Sequence, residues 1–234
     1  TPDTTVWVSP SVVIANLREA GEQPDSILGY DWLTDWYDLA IKLTMPEQKI
    51  RNLLMEEVSL KKGEKVLELG FRTGQNLLLL KSRCPDANLR GLDIDPKARA
   101  IAQHKVTKQG MDIPLDLYDG GAFPYPDAQF DKVYSWLVFH QLDAATKLAC
   151  LREIHRVLRF DGRLVIADWG QADGSWMRLA FGLVQLLDGF KTTNDNVRGR
   201  MPKFIREAGF QNLAVARSIN TALGTFSYFT ANKT

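Results

Sequence analysis

Cysteine and histidine are scarce in this sequence, and their scarcity excludes several kinds of site. The two cysteines, Cys84 and Cys150, lie far apart in a chain of 234 residues, so they cannot form a disulfide framework. The three histidines are scattered along the chain, whereas a structural zinc ion needs about four converging ligands. We therefore expect no metal site.

Charge of one sign and long apolar runs are missing as well. The formal net charge is +1, and no run of lysine or arginine indicates nucleic-acid binding. No segment reaches the roughly 18 consecutive apolar residues that span a bilayer. Residues 1–10 lack the basic region and apolar stretch of a signal peptide. These absences predict a cytoplasmic protein with no nucleic-acid partner and no stable membrane insertion, and they leave the oligomeric state open.

From about residue 65 onward, strand-like and helix-like segments alternate, which predicts an α/β fold with a mostly parallel, doubly wound sheet. Strands are expected at residues 66–69, 89–93, 115–118, 130–136, 164–167, 212–217 and 225–231. Helices are expected at residues 75–81, 96–109, 143–158 and 202–208. Asp95 is suited to cap the second of these helices, with Pro96 at its first position and Gly110 at its end. Asp161 and Gly162 predict a turn.

Two regions do not follow this alternation. Residues 1–60 are predicted to form an N-terminal helical cap on the main domain, residues 61–234, and residues 170–200 a lid insertion before the last two strands. Both regions carry large aromatic side chains, among them Tyr30, Trp32, Trp36, Tyr37 and Trp176. Packing against the sheet and an aromatic substrate pocket both account for these side chains.

A glycine-bearing loop follows the first predicted strand and reads Glu68-Leu69-Gly70-Phe71-Arg72-Thr73-Gly74. Glycine permits a tight turn and a close approach of backbone to ligand, and the next helix supplies free N–H groups at its start. The spacing differs from the G-x-G-x-x-G pattern that receives a pyrophosphate. An NAD-dependent oxidoreductase is therefore disfavoured, while a turn kept only for packing remains an alternative.

This loop resembles the first motif of class I S-adenosylmethionine-dependent methyltransferases, acid-x-Gly-x-Gly-x-Gly. Four later segments are similar to the same family, in the family's order, and they are residues 91–95, 119–131, 135–140 and 151–168. Within the family, the methyltransferase type 11 or quinone-biosynthesis C-methyltransferase-like group is the most similar. The resemblance covers about residues 60–170 and the last two strands. It implies a Rossmann-like, seven-stranded mixed sheet with helices on both faces and an antiparallel last strand.

The resemblance also implies S-adenosylmethionine as the cofactor and a small, apolar or aromatic methyl acceptor. The residues expected at the cofactor are Glu68, Gly70, Phe71, Arg72, Thr73, Gly74, Asp93, Ile94, Asp119, Gly120 and Ser135. Asp93 would accept hydrogen bonds from the ribose hydroxyls, and Asp119 from the adenine amino group. The residues expected at the acceptor are Tyr30, Trp36, Tyr37, Trp136, His140 and Trp176.

His140 is the candidate catalytic residue, because a base helps when the acceptor is a phenol, an enol or a carbon acid. Packing or orienting the acceptor is an equal alternative for this side chain. A nucleic-acid methyltransferase is disfavoured, since the segment after the fourth strand lacks the Asn/Asp-Pro-Pro-aromatic motif.

Arg72 departs from the family pattern, because it replaces the middle glycine of the first motif. If its φ is positive, the strain costs about 1–3 kcal/mol. In one interpretation the side chain turns away or pairs with the cofactor's carboxylate, and cofactor binding survives. In the alternative the pocket is altered, and the protein is a binding or sensing module with impaired catalysis.

Overall fold

A computed structural model describes residues 47–170, 199–221 and 224–234. Most of the predicted N-terminal cap and nearly all of the predicted lid insertion lie outside these ranges, including Tyr30, Trp36, Tyr37 and Trp176. Among the helices within them, none is both long and apolar enough to cross a membrane.

Helices and strands alternate along this part of the chain. The helices are α1 (Glu47–Val58), α2 (Gln75–Arg83), α3 (Pro96–Lys108), α4 (Ala144–Val157) and α5 (Met201–Glu207). The strands are β1 (Lys65–Leu69), β2 (Asn88–Asp93), β3 (Leu115–Leu117), β4 (Phe130–Trp136), β5 (Leu158–Trp169), β6 (Gln211–Thr221) and β7 (Gly224–Asn232). A short 3-10 helix, Phe139–Gln141, follows β4.

The strands form one seven-stranded mixed sheet in the order β3-β2-β1-β4-β5-β7-β6. Strands β1 to β5 pair in parallel, and β7 is antiparallel to both β5 and β6. Parallel neighbours need crossover connections, which the helices supply. The predicted Rossmann-like mixed sheet with an antiparallel last strand is therefore confirmed.

Helices cover both faces of the sheet. Helices α1 to α3 pack on one face, where Leu54, Leu77 and Ala102 belong to the same apolar cluster. Helices α4 and α5 pack on the other face through residues such as Leu151 and Ile205. Because both faces are covered, a polar side chain on a central strand is removed from water and needs a partner.

Local signals set two of the helix starts, and the first of them was predicted from the sequence. Asp95 caps α3 by accepting a hydrogen bond from the Lys97 backbone N–H over 2.8 Å, and Pro96 is the first helical residue. Helix α1 begins directly after Pro46, a residue that interrupts or starts helices. Tyr134 is fully buried on β4.

Strand β5 is longer than predicted, and the expected turn at residues 161–162 is an irregular part of it. Asp161 adopts a φ of 58°, yet its N–H donates to the Lys233 carbonyl over 2.8 Å. The Lys233 N–H in turn donates to the Gly162 carbonyl over 3.0 Å. The end of the chain thus pairs with this segment, which a local turn signal cannot reveal.

Candidate cofactor and methyl-transfer site

The predicted site residues of the described chain gather at one edge of the sheet. Strands β1, β2, β4 and β5 are parallel, so their carboxyl ends lie at the same edge. The strand order reverses between β1 and β4, and ligands of open α/β sheets bind at such a switch point. The loop at residues 70–74, Asp93 and the segment at residues 137–140 all follow these strand ends.

Gly70 holds the loop against both neighbouring strand ends. Its N–H donates to the Leu92 carbonyl over 2.8 Å, and its φ is 73°. A Cβ at this position would lie 2.3 Å from Val138 Cγ2, in the segment that follows β4. Only glycine combines this backbone conformation with this close approach.

Arg72 adopts the left-handed conformation that the missing glycine would favour. Its φ is 51°, so the strain expected for a non-glycine residue is present. The side chain is exposed, and the backbone N–H donates to Asp93 Oδ2 over 2.7 Å. The loop therefore keeps its turn although a long side chain stands there.

Asp93, at the end of β2, is 7% exposed and is held by three backbone N–H groups. Besides Arg72, the N–H groups of Ile94 and Asp95 donate to Oδ1 over 2.8 and 3.1 Å. Burial raises the pKa of Asp93, and these bonds oppose that effect. A carboxylate has about four acceptor positions, so about one remains. This capacity is smaller than the two bonds to a ribose diol expected from the sequence.

The residues expected around the adenine follow β2 and β3 and are open to solvent. Ile94 is 49% exposed, and Asp119 and Gly120 are exposed too. The Tyr118 N–H donates to the Asp93 carbonyl over 3.1 Å, which brings this segment beside β2. Asp119 Oδ1 accepts the Gly121 N–H over 2.9 Å and keeps further acceptor positions.

Ser135 and Trp136, the last two residues of β4, differ in whether their side chains are available to a ligand. The hydroxyl of Ser135 is buried and has no hydrogen-bond partner among the described residues, so it can take one from a ligand. Trp136 is 5% exposed and packs 5.2 Å from the Phe226 ring, on the face covered by α1. Its predicted contact with the acceptor stays a prediction.

His140 is joined to Asp168, a residue absent from the site predicted from the sequence. His140 Nδ1 lies 2.8 Å from Asp168 Oδ1, and the His140 backbone N–H donates to Oδ2 over 3.1 Å. Asp168 is fully buried at the end of β5, and His140 is 7% exposed. Because a carboxylate only accepts, Nδ1 donates in this bond, and in the neutral imidazole Nε2 is left as an acceptor.

Glu68 is the buried acid at the start of the loop motif. Burial raises its pKa to about 8, although a bond from Asn76 lowers it. Its Oε2 has no hydrogen-bond partner among the described residues. Unpartnered buried acceptors at Glu68 and Ser135, near the ends of the neighbouring strands β1 and β4, fit a ligand that carries positive charge and polar hydrogens. S-adenosylmethionine has both, so these residues and Asp93 fit that cofactor.

The remaining predicted cofactor residues belong to the loop itself. Phe71 is buried and lies where a Cβ at Gly91 would meet its ring at 2.6 Å. Thr73 is exposed, and Lys105 Nζ donates to its carbonyl over 3.2 Å. Gly74 caps α2 with a φ of 74°. Phe71 and Thr73 thus hold the loop against β2 and α3, and Gly74 joins it to α2.

Comparisons with known proteins agree with this geometry. A methyltransferase domain family matches residues 66–162. Demethylmenaquinone methyltransferase of Thermus thermophilus is 35% identical over 129 residues, which cover 55% of this chain and 56% of that protein. The ubiquinone/menaquinone biosynthesis C-methyltransferase UbiE of Xanthomonas campestris is 26% identical over 152 residues, which cover 64% and 57%. The chain thus matches little more than half the length of these relatives.

A solved structure shows the same fold. The crystal structure of a SAM-dependent methyltransferase from Aquifex aeolicus superposes with a TM-score of 0.60 at 20% identity, over 84% of this chain and 98% of that chain. The matched domain contains β1 to β4, the glycine loop and the segment that bears His140. Residues 66–162 therefore form a methyltransferase domain, and the sheet order and overall fold are those of a SAM-dependent methyltransferase.

Proposed function

We propose that the protein transfers a methyl group from S-adenosylmethionine to a small, apolar or aromatic acceptor that loses a proton from carbon or oxygen. The observation that carries this proposal is the bond between His140 Nδ1 and Asp168 at the carboxyl ends of β4 and β5. It supports a base beside the cofactor loop, since Val138, two residues before His140, touches the loop at Gly70.

When bound, the cofactor supplies a methyl group that its sulfonium has already activated. The chain has to hold the acceptor in line with that methyl group and keep water away. His140 Nε2 accepts the proton that leaves the acceptor, and Asp168 stabilises the resulting imidazolium. An acceptor that reacts through a neutral amine has less need of this base.

The named relatives favour an acceptor of the quinone class. One is a demethylmenaquinone methyltransferase, and the other is named a ubiquinone/menaquinone biosynthesis C-methyltransferase. A hydroquinone ring carbon loses a proton when it is methylated, which suits a histidine base. We therefore propose alkylated hydroquinones and phenols as the first acceptors to test.

The test is methyl transfer from S-adenosylmethionine to a panel of hydroquinones, phenols and amines, followed by mass spectrometry. His140→Gln should lower kcat on a hydroquinone by about 10²-fold or more, with cofactor affinity unchanged. His104→Gln is the matched control, because His104 is exposed on α3. Transfer to amines alone, or equal kcat in His140→Gln and wild type, would contradict the proposal.

A second candidate function is kept open by the positive φ of Arg72. In it the domain binds a ligand or partner and does not catalyse methyl transfer. Calorimetric titration with S-adenosylmethionine distinguishes the two when wild type is compared with Arg72→Gly. Binding by the variant alone would support the second candidate, whereas similar micromolar binding by both proteins would support the enzyme.

A further inference from the structure

A buried hydrogen bond closes the base of the cofactor loop. Asn76 Nδ2 donates to Glu68 Oε1 over 2.9 Å, and both side chains are at most 5% exposed. Glu68 lies in β1 just before the loop, and Asn76 lies in the first turn of α2 just after it. The bond therefore joins the two ends of the loop on the side covered by α1.

Helix α1 reaches this bond through Arg51. Its Nη1 donates to Asn76 Oδ1, and its guanidinium lies 5.2 Å from the centroid of the Trp136 ring. An amide has one acceptor end and one donor end. Because Arg51 can only donate, it fixes the oxygen of Asn76 toward α1 and the NH₂ group toward Glu68.

The other groups that face Glu68 leave its carboxyl group incompletely stabilised. Tyr134 lies opposite it in the β1–β4 register, and the nearby Tyr134 hydroxyl lowers the pKa of Glu68. Neither Glu68 Oε2 nor that hydroxyl is in full hydrogen-bond geometry with a described residue. The positive charge of Arg51 on α1 lowers the pKa of Glu68, whereas the negative charge of Asp93 on β2 raises it. Burial outweighs these effects and raises the pKa of Glu68 to about 8.

We propose that Arg51 and Asn76 are positioning residues for the cofactor: they aim the Glu68 carboxyl group at the base of the loop, and binding of S-adenosylmethionine releases its proton. The proposal rests on the cofactor use in the proposed function. A cationic ligand bound at the loop stabilises the carboxylate form of Glu68, and the charge of Arg51 on α1 stabilises the same form. The affinity for the cofactor therefore depends on pH and on the presence of Arg51 on α1.

The experiment measures the affinity of the full chain for S-adenosylmethionine by calorimetry from pH 6 to pH 9, in wild type and in Glu68→Gln. The ratio of the two affinities cancels the titration of the ligand's own amino group. This ratio should rise by up to about tenfold per pH unit and level off above about pH 8. Binding near pH 7 should release up to one more proton in wild type than in Glu68→Gln, measured with buffers of different ionisation enthalpy, since the ligand's own amino group contributes equally to both.

Arg51→Met then tests the role of α1. Here the affinity of Arg51→Met is divided by that of the double variant Arg51→Met/Glu68→Gln. This ratio should begin to rise at a higher pH than the wild-type ratio does. The affinity of Arg51→Met at pH 7 should be several-fold lower than that of wild type. The matched control is Arg83→Gln, because Arg83 bonds Asn52 across the same two helices on their exposed side. That variant should leave affinity and its pH dependence unchanged.

Several results would overturn the inference. They are a ratio that does not change with pH, equal proton release in wild type and Glu68→Gln, and an Arg51→Met variant that is weaker by the same factor at every pH. Absence of binding at any pH would overturn both this inference and the proposed function. Binding with the expected pH dependence but no methyl transfer would overturn the proposed function alone.

Discussion

The backbone N–H of Arg72 donates to Asp93 Oδ2 over 2.7 Å and joins the cofactor loop to the end of the neighbouring strand. The bond uses only the main chain of residue 72, whose φ is 51°. A glycine at this position would form the same bond without the cost of a Cβ in the left-handed region.

Arg72→Gly should therefore stabilise the protein. We expect the free energy of unfolding to rise by about 0.5–1 kcal/mol, because relief of strain outweighs the added freedom of the unfolded chain. Thr73→Gly is the control, since Thr73 does not have a positive φ, and it should lose a similar amount. Urea denaturation measures both, and equal losses in the two variants would contradict the expected strain.

Gly70→Ala should be far more costly than Gly63→Ala. Both glycines have a positive φ, 73° and 78°, but a Cβ at Gly63 would meet nothing within 4 Å. We expect Gly63→Ala to cost about 1 kcal/mol and Gly70→Ala about 2 kcal/mol more, because its Cβ overlaps Val138. Adding Val138→Ala should recover part of that difference in urea denaturation. Equal costs at the two glycines would show that the close approach has no effect.

Asp168→Asn should reduce methyl transfer without weakening cofactor binding. Both carboxylate oxygens of Asp168 accept from His140, and Oδ1 also accepts the Trp169 N–H over 2.7 Å. An asparagine must turn an NH₂ group toward one of these donors, so the imidazole loses its fixed tautomer. We expect kcat to fall by about 10²-fold or more, by analogy with other His–Asp pairs.

Asp143→Asn is the control for that variant, because Asp143 caps α4 through the Thr146 N–H and asparagine caps equally well. Its kcat should match that of wild type. A loss of S-adenosylmethionine affinity in Asp168→Asn as large as the loss of kcat would show that Asp168 acts on structure and not on the base.

The raised pKa of Glu68 predicts that stability falls as pH rises. The folded protein keeps this proton up to a pH of about 8, whereas the unfolded chain loses it near the ordinary glutamate pKa of 4.5. Between these values the unfolded state binds fewer protons, so the contribution of Glu68 declines by up to about 1.4 kcal/mol per pH unit. Urea denaturation at pH 5.5, 7.0 and 8.5 should show a smaller decline in Glu68→Gln. An equal decline of the free energy of unfolding in wild type and Glu68→Gln would contradict the role assigned to the Glu68 proton.

Local sequence patterns were sufficient for the parts of the fold that depend on near neighbours. The cap formed by Asp95 and Pro96 lies within a few residues of the helix it starts, and the buried position of Tyr134 follows from an apolar strand between two helical layers. The glycine loop follows β1 directly, so its place at the sheet edge could be predicted from the order of strand, loop and helix.

The parts that the sequence did not reveal depend on residues far apart in the chain. His140 and Asp168 are 28 residues apart and meet because β4 and β5 are parallel neighbours. Arg51 and Asn76 are 25 residues apart and meet because α1 and α2 pack on the same face. The family resemblance included Asp168 in its last segment, which was the one available signal for its importance.

The bond between Glu68 and Asn76 has a consequence for protein engineering. In the sequence, the nine residues from Glu68 to Asn76 form one continuous segment that could be exchanged between related domains. Because Arg51 on α1 orients the amide of Asn76, a loop grafted into another domain would lack the residue that directs Asn76 toward Glu68. Exchanging this loop between relatives would therefore require the α1 helix of the donor protein as well.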